Sequence, residues 1–195
     1  YKKLQREGQL ERDVDRLVRN ERIAWGASMI ACKDADAMVT GNIRHYAASI
    51  EKLKKVTEPR PGEEIFGMTM ITLKGKTILV ADTNVQDFPS PERLVKVSKS
   101  CVRVARLFGF DPKVAFLSHS TFGKPISKNT KHVRDAIELL KKENVDFDFD
   151  GEMQPDVALN PIYQEIYPFS KIVGNANILI MPALHSAAIS TKLMK

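Results

Sequence analysis

Two polar loops, each following a strand pattern, carry the residue types of a ligand site in this 195-residue chain. The first, Ser118-His119-Ser120-Thr121-Phe122-Gly123-Lys124, offers three hydroxyls, an imidazole, a glycine and an ammonium. Serine and threonine serve turns and caps everywhere. Here they stand between a strand pattern and a helix pattern, beside Lys124, where a phosphate or phosphorylated ligand would be held. The second loop, Asp150-Gly151-Glu152, sets two carboxylates around a glycine, and these are expected to orient amides or basic side chains of neighbouring loops. Asp146, Asp148 and Asp150 alternate with Phe147 and Phe149, so they would share one strand face. No histidine accompanies them, and no metal site is assigned. His119 and His185 both follow strand patterns and can meet in one crevice, whereas His132, in a charged helical turn, is expected at the surface. Nucleophile-elbow, dinucleotide and Walker signatures are all missing, and no catalytic residue is assigned.

These residues need elements to position them. Glu11 to Cys32 carries apolar residues at helical spacing, with Trp25 and the methionines as core candidates. Asp36 to Gly41 reads as a short strand, Ala47 to Val56 as a helix, and Thr57 to Gly62 as a breaker. Met68 to Leu73 and Lys76 to Ala81 read as an antiparallel hairpin turning at Lys74-Gly75. Ser90 and Pro91 open a helix whose inward stripe is Leu94, Val95, Cys101, Val102, Ala105 and Phe108, with Gly109 as terminator. Val114 to Leu117 is a buried strand. Ser127 or Asn129 is expected to cap a helix that buries Val133, Ala136, Ile137 and Leu140 and pairs Glu138 with Lys142. Phe147 to Asp150 is a strand, Asp156 to Ile166 a helix that Pro161 kinks or ends, Ala176 to Met181 a strand, and a last helix starts near Ser186. The alternation predicts an α/β fold: a mostly parallel sheet flanked by helices, with one antiparallel hairpin. Both loops then fall at the carboxyl ends of parallel strands, where such sheets bind ligands.

Hydrophobic content of 43% and charge of 28% describe an ordinary globular chain. No apolar run approaches the roughly 18 residues of a membrane span. The net charge of +6 is dispersed among acids and lacks interleaved aromatics, so no nucleic-acid surface is expected; it suits an anionic small molecule instead. Two cysteines, Cys32 and Cys101, in helical patterns fit a reducing cytoplasm. The chain reads as part of a longer polypeptide, incomplete at both ends.

Four blocks in order, DADAMVTG, SHSTFG, DGEMQPDVAL and KIVGNANILIMPALHSAAISTK, resemble the phosphate acetyltransferase and butyryltransferase family over nearly the whole chain. The resemblance implies the isocitrate/isopropylmalate dehydrogenase-like α/β fold and one domain over 1–195, with residues 1–40 leading to its second lobe. Departures exist: Glu51 falls where the family has an arginine that holds coenzyme A, and Phe122 where it commonly has lysine. With YKKLQREG, LERDVDRLVRNER and ILVADTNVQDFPSPE, they resemble the branch appended to large bacterial malic enzymes. That resemblance implies a regulatory domain binding acetyl-CoA in a homo-oligomer. It also implies an N-terminal malic enzyme domain that uses NAD(P) and Mg or Mn to turn malate into pyruvate. Ser118, Ser120, Thr121, Gly123 and Lys124 would face the thioester or phosphate end of the ligand, Arg44 and Tyr46 its nucleotide portion, with Asp150, Glu152 and Lys192 in support. A working phosphate acyltransferase is the alternative.

Overall fold

A computed structural model describes the chain except residues 42, 74, 84–86, 126, 128–129 and 195 and the side chain of Gln164. It divides into two compact units, Tyr1–Gly62 and Glu63–Lys195, at the end of the proline-rich breaker.

The first unit is helical: α1 (Lys2–Arg6), α2 (Glu11–Asn20), α3 (Arg22–Ala31) and α4 (Tyr46–Val56). The single helix expected over Glu11 to Cys32 is two, separated at Glu21, whose backbone is extended (φ −114°, ψ 104°). A continuous helix would carry the stripe of Val14 and Leu17 onward to Trp25. The break instead turns Ile23, Ala24 and Ala27 inward, and Trp25 is 56% exposed rather than core. Glu21 accepts hydrogen bonds from Arg44 at 2.7 Å and Lys52 at 2.5 Å, which fixes the break to α4 and its approach. Asp36 to Gly41 is not a strand: among the described residues no strand pairs with it, and an unpaired extended segment has no ladder to hold it.

The second unit holds five strands: β1 (Met68–Leu73), β2 (Lys76–Ala81), β3 (Lys113–Leu117), β4 (Asp148–Met153) and β5 (Ile178–Ile180). Their order is β1-β2-β5-β3-β4, with β1 antiparallel to β2 and the remaining pairs parallel. The hairpin register, Met68 opposite Ala81 through Leu73 opposite Lys76, is the expected one, and Gly75 takes the left-handed backbone (φ +77°) its turn demands. Alternation along the strands splits the core. Leu79, Val114, Phe116, Ile178 and Ile180 meet α5 (Pro91–Leu107) and α6 (Lys131–Lys142) on one face. Val80, Ala115, Leu117 and Leu179 meet α7 (Pro155–Leu159) and α9 (Leu184–Leu193) on the other. Strands covered on both faces are apolar at every position, which is why the central strand β3 is continuously hydrophobic from Val114 to Leu117.

Ser90 caps α5 as expected, its hydroxyl accepting from the Arg93 amide at 3.3 Å. Burial pushes the Cys101 thiol up, with the Asp82 charge as a lesser cause, while Cys32 is exposed. Phe108, expected inward, is 59% exposed because the helix has reached its C-cap there and Gly109 (φ +78°) diverts the chain. In α6 the expected stripe Val133, Ala136, Ile137 and Leu140 is buried, about 1.5–3 kcal/mol for each large side chain removed from water. Its N-cap is Thr130, not Ser127, and Asn129 lies outside the described residues. Glu138 pairs with Lys141, at i+3 and one residue before the expected Lys142, at 2.7 Å. Pro161 ends the helix expected from Asp156. The residue before a proline avoids the helical region, so Asn160 is extended, and a new turn, α8 (Pro161–Gln164), starts under its side-chain cap. Among the described residues no helix is long and apolar enough to cross a membrane.

Candidate functional site

Parallel pairing of β3 with β4 sets the loop after β3 beside Asp150-Gly151-Glu152, which is not a loop as expected but part of β4 itself, with Asp150 opposite Ala115 and Gly151 opposite Phe116. The close approach requires glycine at 151: a Cβ there would lie 2.6 Å from the Phe116 carbonyl oxygen, and its φ of +143° excludes most side chains. The loop after β3 and the end of β4 are then laced together. Ser118 N donates to the Met153 carbonyl (2.9 Å), Phe122 N to the Glu152 carbonyl (2.8 Å), and Gln154 Nε2 to the His119 carbonyl (2.7 Å). Thr121 Oγ1 accepts from Gln154 N at 3.2 Å.

Glu152 is the hub. Its side chain is 1% exposed, and Oε1 accepts from Ser120 Oγ (2.8 Å), Gly123 N (3.0 Å) and Arg134 Nη1 (3.4 Å). A buried carboxylate is tolerable only with such donors, and these three fix the loop from inside. Ser120, expected to face the ligand, is fully buried with its hydroxyl committed to Glu152; it holds the loop's shape. Thr121 and Lys124 close a tight turn through reciprocal backbone bonds of 2.9 and 3.1 Å, with Phe122 (φ 48°) and Gly123 (φ 85°) left-handed at its tip. Lys124 is exposed.

Residues of the loop line two cavities. One, of about 440 Å³, is lined by Ser118, His119, His185, Ser186, Ser190 and His132, so the two histidines expected in one crevice share it. His132 corrects its surface assignment: it is half-buried, its Nε2 lies 2.9 Å from the Pro182 carbonyl, and its ring packs on Phe88 at 4.4 Å. The other, of about 460 Å³, is lined by Thr121, Phe122, Lys124, Gln154, Tyr167 and Phe169.

The remaining expected residues sit elsewhere. Asp150 accepts from Gly151 N (2.9 Å) and Lys171 N (2.7 Å), orienting backbone amides. Asp146 precedes β4, and the guanidinium of Arg106 holds its carboxyl below the usual range. Among the described residues no three metal-ligating side chains converge. Lys192 is exposed in the last turn of α9 and lines neither cavity. Arg44 and Tyr46 belong to the helical unit, where Arg44 is paired with Glu21 and Tyr46 starts α4. Sequence reasoning passed over Arg134, Gln154, Tyr167 and Phe169. Gln154 stood within the DGEMQPD block, and Tyr167 and Phe169 within the stretch YPFSKIVGNANILIMPALHSA that also resembles the malic enzyme branch, but nothing in either marked them as lining a cavity.

The chain is similar to known proteins. The chain is 45% identical to an NADP-dependent malic enzyme of Rhizobium meliloti across its whole length, which is 26% of that protein. It thus spans about a quarter of the malic enzymes it matches. It is 28% identical over 171 residues to a phosphate acetyltransferase of Bacillus subtilis, covering 87% of this chain and 53% of that one. A phosphotransacetylase structure from Streptococcus pyogenes superposes with a TM-score of 0.86 at 28% identity, covering 96% of this chain and 58% of that one. The family model described as "Phosphate acetyl/butaryl transferase" matches residues 1–195, and the chain belongs to that family.

Proposed function

We propose that this chain is the regulatory, acetyl-CoA-binding part of a malic enzyme rather than a working acyltransferase. The observation that carries the reading is the 45% identity to a malic enzyme over all 195 residues, against 28% over 171 residues for a phosphate acetyltransferase. The parent protein would oxidatively decarboxylate malate to pyruvate with NAD(P) and Mg or Mn, both bound by an N-terminal malic enzyme domain. In this chain, Ser118, Thr121, Gly123 and Lys124 present the anion-binding surface at the carboxyl end of the sheet. Ser120, Glu152 and Asp150 hold this loop and the end of β4 in place. Two cavities of about 440 and 460 Å³ beside one loop suit a long ligand with chemically different ends. Binding changes activity only if acetyl-CoA has different affinities for two states of a homo-oligomer. The protein would work in the cytoplasm.

The test measures malate-dependent NAD(P) reduction by the full-length protein as acetyl-CoA is raised, alongside phosphate-dependent release of CoA from acetyl-CoA. Malate oxidation should respond to acetyl-CoA while acyl transfer stays absent. Transfer at about 10 per second, an ordinary enzymatic rate, would overturn the regulatory reading in favour of the acyltransferase.

A further inference from the structure

The aromatic cluster beside the loop is unexplained by the reading above. Phe122, Tyr167 and Phe169 stand with ring centroids 5.3, 4.9 and 6.0 Å apart and planes inclined by 56°, 69° and 78°. They are drawn together by the turn at Phe122, whose left-handed backbone belongs to the Thr121–Lys124 loop. Edge-on packing of this kind does not close the cluster off: Phe169 remains 65% exposed, and Ile166 beside it is also 65% exposed. The rings wall the cavity of about 460 Å³, whose polar lining is Thr121, Gln154 and Lys124. Lys124 is the cation of that lining, and among the described residues no carboxylate lines it or pairs with its ammonium.

We infer that this cup binds a planar heteroaromatic ring carrying a phosphate, that is, a nucleotide moiety. Its base would lie on the open face of Phe169, braced by Phe122 and Tyr167, and its phosphate would meet Lys124. Three inclined rings also suit an organic cation, but such a ligand would want a carboxylate nearby, and an ammonium stands there instead. Stacking on an exposed ring accepts any base, because every base has a π-face. The inference deepens the acetyl-CoA reading by moving the nucleotide portion from Arg44 and Tyr46 to this cup. It rests on Phe122, which stands where a lysine would have offered charge alone.

The test titrates the full-length protein calorimetrically with acetyl-CoA and, separately, with ADP, comparing the parent with Phe169→Ala and Phe169→Trp. Because residue 169 is exposed, the variants should keep the parent's urea midpoint. Phe169→Ala should weaken at least one probe about tenfold, and Phe169→Trp should restore it. Loss for ADP with no acetyl-CoA binding by the parent would support the cup and remove acetyl-CoA as the ligand. Unchanged affinity for acetyl-CoA and ADP in Phe169→Ala overturns the cup and leaves the acetyl-CoA reading standing. No binding of either probe by the parent overturns both. Altered sedimentation of Phe169→Ala with unchanged affinities would make the patch a protein interface, which also overturns the inference.

Discussion

Glu152 shows how one residue serves a site it does not touch. Its oxygen is surrounded by the Ser120 hydroxyl, the Gly123 amide and the Arg134 guanidinium, so the negative charge organises the loop that presents Thr121 and Lys124 outward. Glu152→Gln keeps the size and removes the charge. It leaves Arg134 unmatched and puts an amide nitrogen into a pocket built from donors. We expect a loss of about 2 kcal/mol in urea unfolding, in the range for hydrogen bonds to charged groups. Asp148→Asn, at an exposed strand start, should change stability by less than about 0.5 kcal/mol. Equal effects of the two substitutions would show that the buried charge does not hold the loop.

Among the elements, α5 ties the sheet to its flanking segment. Ser90 caps the helix, Pro91 presets its first turn, and that turn carries Arg93. The Arg93 guanidinium is buried and reaches Glu64, the Ile65 carbonyl and, at 3.3 Å, Asp82. The same Asp82 accepts from Gly67 N at 2.8 Å, so the start of the helix, the end of β2 and the approach to β1 share one polar cluster. Ser90→Ala should therefore cost about 1 kcal/mol, and Ser90→Gly only a few tenths, since glycine tolerates the cap backbone. Thermal unfolding of the two variants checks this. Equal losses would mean that hydroxyl capping is not what the position supplies.

At the scale of the whole molecule, charge decides the acid limit of stability. The ammonium of Lys96, at 2.7 Å, and then the guanidinium of Arg93 hold the Glu64 carboxyl below its ordinary value of 4.5. A carboxyl lowered in the folded state contributes stability that is fully present above its unfolded value. That contribution is lost as pH falls through the folded value. Glu64 is 40% exposed, so the contribution is screened, but its direction is fixed. Between pH 6 and pH 3 the urea midpoint of the parent should fall more steeply than that of Glu64→Gln, which has no proton to take up there. Parallel curves would refute the link.

Local chemistry alone determined much of the second unit. The hairpin, the Ser90-Pro91 start of α5, the buried stripe of α6 and the apolar run of β3 each depend on residues within a few positions of one another, so periodicity and turn chemistry exposed them. The loop at 118–124 was legible for the same reason, a polar run after an apolar strand, whereas the loop expected at 150–152 is strand, because its pairing with the remote β3 extends β4 through Met153. Tertiary structure decided the rest. Whether a hydroxyl faces solvent or a carboxylate depends on a partner 32 residues away, and so Ser120 turned inward to Glu152. His132 left the surface because the Pro182 carbonyl, 50 residues on, met its ring. Trp25 turned outward because Glu21 found two cations on distant segments and broke the helix before it. The aromatic cup joins Phe122 to Tyr167 and Phe169 across the strand β4 and the helices α6, α7 and α8. Spacing along a chain specifies neighbours one turn or one strand residue apart, whereas contacts between remote segments exist only once the sheet has assembled.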